Sequence, residues 1–161
     1  MSILTIAIIV LLTCALPETL NAQPQNLVTV VVPESTLQEG KESKLVIQVE
    51  VKEGYHIQAN TVDDESLIPT SLEVVAKENR MTLRKQFPES KAFRLEGTDT
   101  FLEVFDGKFE VHLFMTPHGR WKPGKYQLVG RMQYQACDSR TCFFPRVLEF
   151  TIPVEIRAKR D

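Results

Sequence analysis

Cys137 and Cys142 are the residues of this sequence best suited to chemistry, and four residues separate them. They lie in the run Tyr134-Gln135-Ala136-Cys137-Asp138-Ser139-Arg140-Thr141-Cys142-Phe143-Phe144-Pro145. Two neighbouring thiols can close a disulfide, exchange it with another protein, or bind a metal as thiolates. The four intervening residues make a hairpin loop of common length. Directly opposed residues of an antiparallel pair have Cα atoms about 4.5–5.5 Å apart, a spacing that a disulfide can span. The pair can therefore close and reopen with little backbone motion.

A structural bridge is the plainest reading for an exported domain. Its magnitude counts against it. Closing a six-residue ring contributes only about 2 kcal/mol in the chain-entropy account. The hairpin forms without it, and a domain of this size can bury a core unaided. A redox role gains from that comparison, and on the residues alone both readings stay open. Metal binding would need the two thiolates with His56, His112 or His118. The Cys spacing is at the limit of the usual range and no His stands at ligand spacing beside it, so the three His read as ordinary strand or turn residues. No evident His base accompanies either Cys, which argues against a cysteine protease. Arg140 and Arg146 can stabilise a thiolate and Asp138 opposes one. The plainer reading of these charges is a solvated hairpin.

The elements that hold this hairpin read as strands. Val28, Val30 and Val32 alternate with their neighbours, as do Leu45, Ile47, Val49 and Val51. Phe109 to Met115, Tyr126 to Tyr134 and Leu148 to Ile156 repeat the pattern. Period-two alternation of this kind marks half-buried strands. Weaker strands are expected over 71–76 and 81–87. Turn residues stand between them at Glu39-Gly40, Glu53-Gly54, Asp106-Gly107, Pro117-His118-Gly119 and Pro123-Gly124. No window holds a helical period. The expected fold is all-β, an immunoglobulin-like antiparallel two-sheet sandwich. Pro153 inside the last strand implies an edge position there. There is no repeat and no linker, so residues 23–161 read as one domain.

The chain has 161 residues, with 19 Lys+Arg against 21 Asp+Glu and a net charge of -2. It lacks the basic surplus of nucleic-acid binders. Ile3 to Leu16 is almost wholly apolar, and Pro17 breaks the run. That suits the core of a secretory signal better than a membrane span. Cleavage is expected after Ala22, making 1–22 a signal peptide, although no Lys or Arg leads it and Leu20 is bulky for its place. A lipoprotein signal through Cys14 is the minority alternative, because Thr13 fits such a motif poorly; an uncleaved anchor is another. Cleavage removes Cys14 and leaves two Cys in an oxidising compartment.

A wider set of residues resembles a known family. Gly54-Tyr55-His56-Ile57-Gln58-Ala59-Asn60 comes first, then Leu67-Ile68-Pro69-Thr70-Ser71-Leu72, then Pro123-Gly124-Lys125-Tyr126. Tyr134-Gln135-Ala136-Cys137 and Cys142-Phe143-Phe144-Pro145 follow. In that order they resemble the N-terminal periplasmic domain of the thiol:disulfide interchange protein DsbD, over nearly all of the expected mature chain. The resemblance implies an immunoglobulin-like redox domain in the periplasm. Such a domain takes electrons from a membrane-linked thioredoxin-like domain. It passes them to oxidised periplasmic proteins, among them disulfide isomerases and factors of cytochrome c maturation. It implies Cys137 and Cys142 as the redox couple, with Cys142 bonding to partners. Thiol–disulfide exchange requires no cofactor or metal, and the charge balance argues against nucleic acid. The domain is expected to be a monomer. The alternative is a non-enzymatic exported binding module with a structural hairpin disulfide.

The sequence departs from the family in three places. It has four residues between the Cys where well-known members have five. Arg146 stands where a second Pro often follows. The sequence also ends without a transmembrane relay or a C-terminal thioredoxin-like domain. Separate proteins are expected to supply those parts, or the chain is a stand-alone relative with its own partners. The resemblance also implies a shielding loop at Phe105, Asp106 and Gly107. A family loop ending in Phe-x-Gly caps the Cys pair with its aromatic ring, which makes Phe105 the lid. The competing reading is a Phe buried for packing.

Overall fold

The structure is a computed structural model that describes residues 24–75, 80–119 and 121–159. The expected signal peptide, with Cys14, lies outside the described residues. Twelve strands and no helix are found among the described residues, so no described helix is long and apolar enough to cross a membrane.

The long strands follow the alternation. They are β3 (Ser43–Val51), β9 (Lys108–Pro117), β10 (Gly124–Tyr134) and β12 (Arg146–Arg157). The shorter β1 (Val28–Val31), β5 (Ser71–Val75) and β6 (Met81–Gln86) also stand where expected. Leu45, Ile47, Val49 and Val51 of β3 are buried, as are Val111, Leu113 and Met115 of β9. Leu128 and Met132 of β10 and Ile152, Val154 and Ile156 of β12 join them in one core. Each such side chain contributes about 1.5–3 kcal/mol by leaving water. Core residues two apart along a strand lie on one face, so the sequence pattern by itself decides which face turns inward.

Five strands have no counterpart in the expected set: β2 (Ser35–Gln38), β4 (His56–Gln58), β7 (Lys91–Arg94), β8 (Phe101–Asp106) and β11 (Ala136–Cys137). The strands form three sheets, in the orders β1-β3-β9-β6, β2-β12-β10-β5 and β11-β4-β8-β7. The fold is all-β and immunoglobulin-like, as expected. Two details change. A third sheet accompanies the pair of the sandwich, and β2 runs parallel to β12 while the other pairings are antiparallel. β12 is also an interior strand, flanked by β10 and β2, rather than an edge. Pro153 is tolerated because β2 pairs only with Val154 to Arg157. At Pro153 the flank away from β10 is therefore unpaired, so no ladder bond to β2 is lost there.

The third sheet positions the cysteines. β10 and β12 pair from Gly124↔Ile156 to Tyr134↔Arg146. Beyond Tyr134 the chain leaves that ladder, and β11 pairs with β4 instead, Cys137 opposite His56 and Ala136 opposite Ile57. β8 then pairs with the other edge of β4, and β7 with β8.

Candidate functional site

Cys137 and Cys142 are joined in a disulfide, with Cα atoms 3.9 Å apart, closer than the hairpin spacing led us to expect. They face each other as an isolated antiparallel bridge. The loop between them needs no covalent help. The Asp138 N–H donates to Thr141 O at 3.0 Å and the Phe143 N–H to Ala136 O at 2.8 Å. The Asp138 carboxylate accepts the N–H groups of Arg140 and Thr141 at 2.8 and 2.7 Å, an Asp-led turn of ordinary chemistry.

The two sulfurs are not equivalent. Cys137 is fully buried, at 0% exposure, whereas Cys142 is half-buried. A small apolar cluster of Leu102, Val104 and Cys137 surrounds the inner sulfur, with Leu67, Phe93, Leu95 and Cys142 packed against it. A half-buried sulfur is the one a second protein can reach.

β4 supplies the polar groups. Its three residues are all buried, Ile57 turned to the main core and His56 and Gln58 to the opposite face. The Gln58 side-chain amide donates to Cys137 Sγ at 3.2 Å and to Cys142 Sγ at 3.6 Å. Its own backbone is pinned, with N donating to Gln135 O at 3.0 Å and O accepting the Thr70 hydroxyl at 2.5 Å. Gln58 Oε1 is buried and has no partner. Gln135 braces the hairpin from the other side, accepting the Ile68 N–H at 2.8 Å and donating to Phe143 O at 3.0 Å.

The His56 ring lies against Phe93, with centroids 4.0 Å apart, and its Nε2 is buried without a partner. Burial pushes the imidazole below its ordinary pKa, against the raising influence of Asp106 and Asp138. His112 lies instead beside Glu110 at 3.5 Å and His118 beside Thr82 at 3.0 Å, so only His56 of the three borders the pair. Arg140 is engaged with Glu96 at 3.0 Å, both at the surface.

The expected lid is corrected. Phe105 is buried in the main core, its ring 4.9 Å from Phe109 and 6.1 Å from Phe87. The reason is the period of two along β8. Leu102 and Val104 face the cysteines, so Phe105 faces away from them. Gly107 does make the tight turn, with φ 57°, and Asp106 pairs with Lys91. Phe93 and Leu95 of the β7–β8 hairpin pack against the cluster that holds Cys137. The Glu96 N–H in its turn donates to Ser139 O of the cysteine loop at 2.8 Å. Gln58, Phe93 and Leu95 carried no site role in the sequence, whereas Leu102 and Val104 fall in the segment 102–108 expected to shield the pair. The signal available for Gln58 was its place two residues from His56, which shares a strand face.

The family model described as "Thiol:disulfide interchange protein DsbD, N-terminal" matches residues 26–153. No curated protein matches the chain. Among solved structures, the N-terminal periplasmic domain of ScsB from Proteus mirabilis aligns with a TM-score of 0.54 and 11% identity. That alignment covers 78% of this chain and 44% of the ScsB chain, so this chain spans less than half the length of that relative. At such identity the likeness shows the fold alone. The SrpA adhesin from Streptococcus sanguinis aligns with a TM-score of 0.40 and 15% identity, over 81% of this chain and 57% of that one. The periplasmic chaperone SfaE aligns with a TM-score of 0.38 and 10% identity, over 83% and 58%. These two are too loose to carry an argument.

Two predictions test this geometry. Phe105→Ala should lose roughly 3–5 kcal/mol of stability and leave alkylation of the reduced pair no faster. Phe93→Ala should speed that alkylation. Denaturant unfolding and the alkylation rate together check both, and faster alkylation in Phe105→Ala with unchanged stability would restore it as the lid. The second concerns His56. An unfolded chain takes up a proton on this ring near pH 6.5, which the folded chain resists. Its contribution is therefore whole above about pH 6.5 and lost as pH falls below it. His56→Phe keeps the ring stack and removes the titration, so its unfolding midpoint should drop less between about pH 7 and pH 5. Equal slopes in the two proteins would clear His56 of the effect.

Proposed function

We propose that this chain, which belongs to the family of DsbD N-terminal domains, is an extracytoplasmic protein-disulfide reductase-type domain. It relays two electrons from a thioredoxin-like donor to oxidised periplasmic thiol proteins. The observation that carries this reading is the asymmetry of the pair, one sulfur buried and one half-buried at the mouth of a hairpin. The extracytoplasmic location is supported by the apolar run at Ile3 to Leu16, read as a signal.

The reaction is thiol–disulfide exchange, and it balances without a cofactor. A donor thiolate attacks Cys142 Sγ, the Cys137–Cys142 bond breaks, and its electron pair passes to Cys137 Sγ. The donor's second thiolate then attacks its own sulfur in the mixed disulfide and releases Cys142 as a thiolate. The donor leaves oxidised and the pair is reduced. With a substrate disulfide the sequence reverses. Cys142 attacks, the substrate's first thiolate departs, and Cys137 attacks Cys142 Sγ to release the second. Rates follow thiolate character and access, and access favours Cys142 in both directions.

Phe144 is 80% exposed and lies two residues after Cys142. It offers a docking partner an apolar handle beside the reacting sulfur. The reading of the bridge as a mere staple is weakened by the loop's own hydrogen bonds, which hold the turn without it.

With Cys142 as a free thiol, Cys137→Ala should accumulate a mixed disulfide with an oxidised thioredoxin-like protein, because no resolving thiol remains. Cys142→Ala should not, since Cys137 is buried. Non-reducing electrophoresis with mass analysis reads the outcome. Trapping through Cys137, or equal trapping by both variants, would overturn the assignment of roles.

A further inference from the structure

We propose that Gln58 is a catalytic residue of the exchange, the hydrogen-bond donor that receives the negative charge leaving on Cys137. This deepens the exchange reading and rests on it. When Cys142 is attacked, the broken bond leaves its electron pair on Cys137 Sγ. That sulfur is fully buried. Its surroundings are apolar, Leu102 and Val104 with Leu67, Phe93 and Leu95, and a thiolate there is disfavoured by lack of solvation.

The charged groups nearby offer little. Arg140 is held by Glu96 at 3.0 Å. His56 on β4, opposite Cys137, is a buried ring held below its ordinary pKa. Asp106 at the end of β8 and Asp138 in the hairpin are carboxylates that would oppose a thiolate. Gln58 Nε2 is different, standing 3.2 Å from Cys137 Sγ and 3.6 Å from Cys142 Sγ. The orientation of its amide is set by chemistry. Neither sulfur of a disulfide carries a hydrogen, so only the amino end can bond to them.

Two further observations fit a functional role. Gln58 is 0% exposed, and its Oε1 has no partner. An orphaned buried acceptor destabilises the fold, so an apolar residue would serve packing better. The backbone of Gln58 is held on both sides, by Gln135 O at 3.0 Å and the Thr70 hydroxyl at 2.5 Å. The donor is therefore in place before charge develops, the arrangement that stabilises a transition state at little reorganisation cost. A hydrogen bond to an ionised acceptor is also about twice as strong as one between neutral groups. The contact therefore tightens as Cys137 gains charge.

The test is the pH titration of Cys137 in a Cys142→Ser background, followed by thiolate ultraviolet absorbance, with and without Gln58→Met. Methionine keeps the unbranched length and removes the donor. The midpoint should rise by about one pH unit, a tenfold loss of thiolate at fixed pH, while the unfolding midpoint holds or rises. An unchanged titration midpoint in a folded variant overturns the proposal. Should Gln58→Met fail to fold, Gln58→Leu also removes the donor without adding charge, and the Cys137 midpoint should again rise. No rise, or a fall, is again fatal to the idea. A second arm separates this from the exchange reading. Reduced glutathione should open the oxidised pair several-fold more slowly in Gln58→Met than in the unmutated chain. If glutathione never opens the unmutated pair, the exchange reading fails whatever the titration shows.

Discussion

The pairing of β11 with β4 is only two residues long, Ala136 with Ile57 and Cys137 with His56, yet the whole site depends on it. It sets the face on which each β4 side chain falls. Ile57 goes to the main core, while His56 and Gln58 go to the cysteines. A slip of one residue would reverse that, presenting Ile57 to the sulfurs and sending two polar groups into hydrocarbon. The register is secured from outside the pair. Gln135 ties the Cys hairpin to the Ile68 segment, and β8 holds the far edge of β4 through Gln58↔Val104 and His56↔Asp106.

From that register follows the inequality of the two sulfurs. Cys137 sits in the sheet, under Leu102 and Val104, and Cys142 sits at the hairpin mouth. Burial makes charge on Cys137 difficult and keeps outside thiols from it. Partial exposure leaves Cys142 as the sulfur an outside thiol can reach. A structural staple has no use for such an inequality, whereas an exchange reaction uses both halves of it. The turn's own hydrogen bonds further loosen the link between the disulfide and stability.

The main sandwich was legible because β3, β9, β10 and β12 are nine to twelve residues long. Each carries enough alternating Leu, Ile and Val to announce its period. The cysteine hairpin was legible from spacing alone. The third sheet was not. β4 is three residues with every side chain buried, and β11 is two residues, so neither can show a period. β7, with the sequence Lys91-Ala92-Phe93-Arg94, reads as a polar surface stretch. The turn at Asp106-Gly107 was visible, but the face of Phe105 was not. That face depends on pairing with β4, and Ile57 opposite Phe105 shows both residues turned to the core. Pro153 misled for a related reason. Its rule concerns the unpaired flank of a strand, and β12 is unpaired there only as far as the residue before Val154.

The central claim is that the Cys137–Cys142 bond is a working redox couple. Its reduction potential, measured by equilibrating the purified domain with graded glutathione buffers and quantifying free thiol, tests this most directly. The account predicts ready equilibration and a potential well above about −300 mV, in the range of exchange-active pairs. A bond that stays closed in those buffers, with a potential below about −300 mV, would mark a structural disulfide and contradict the account.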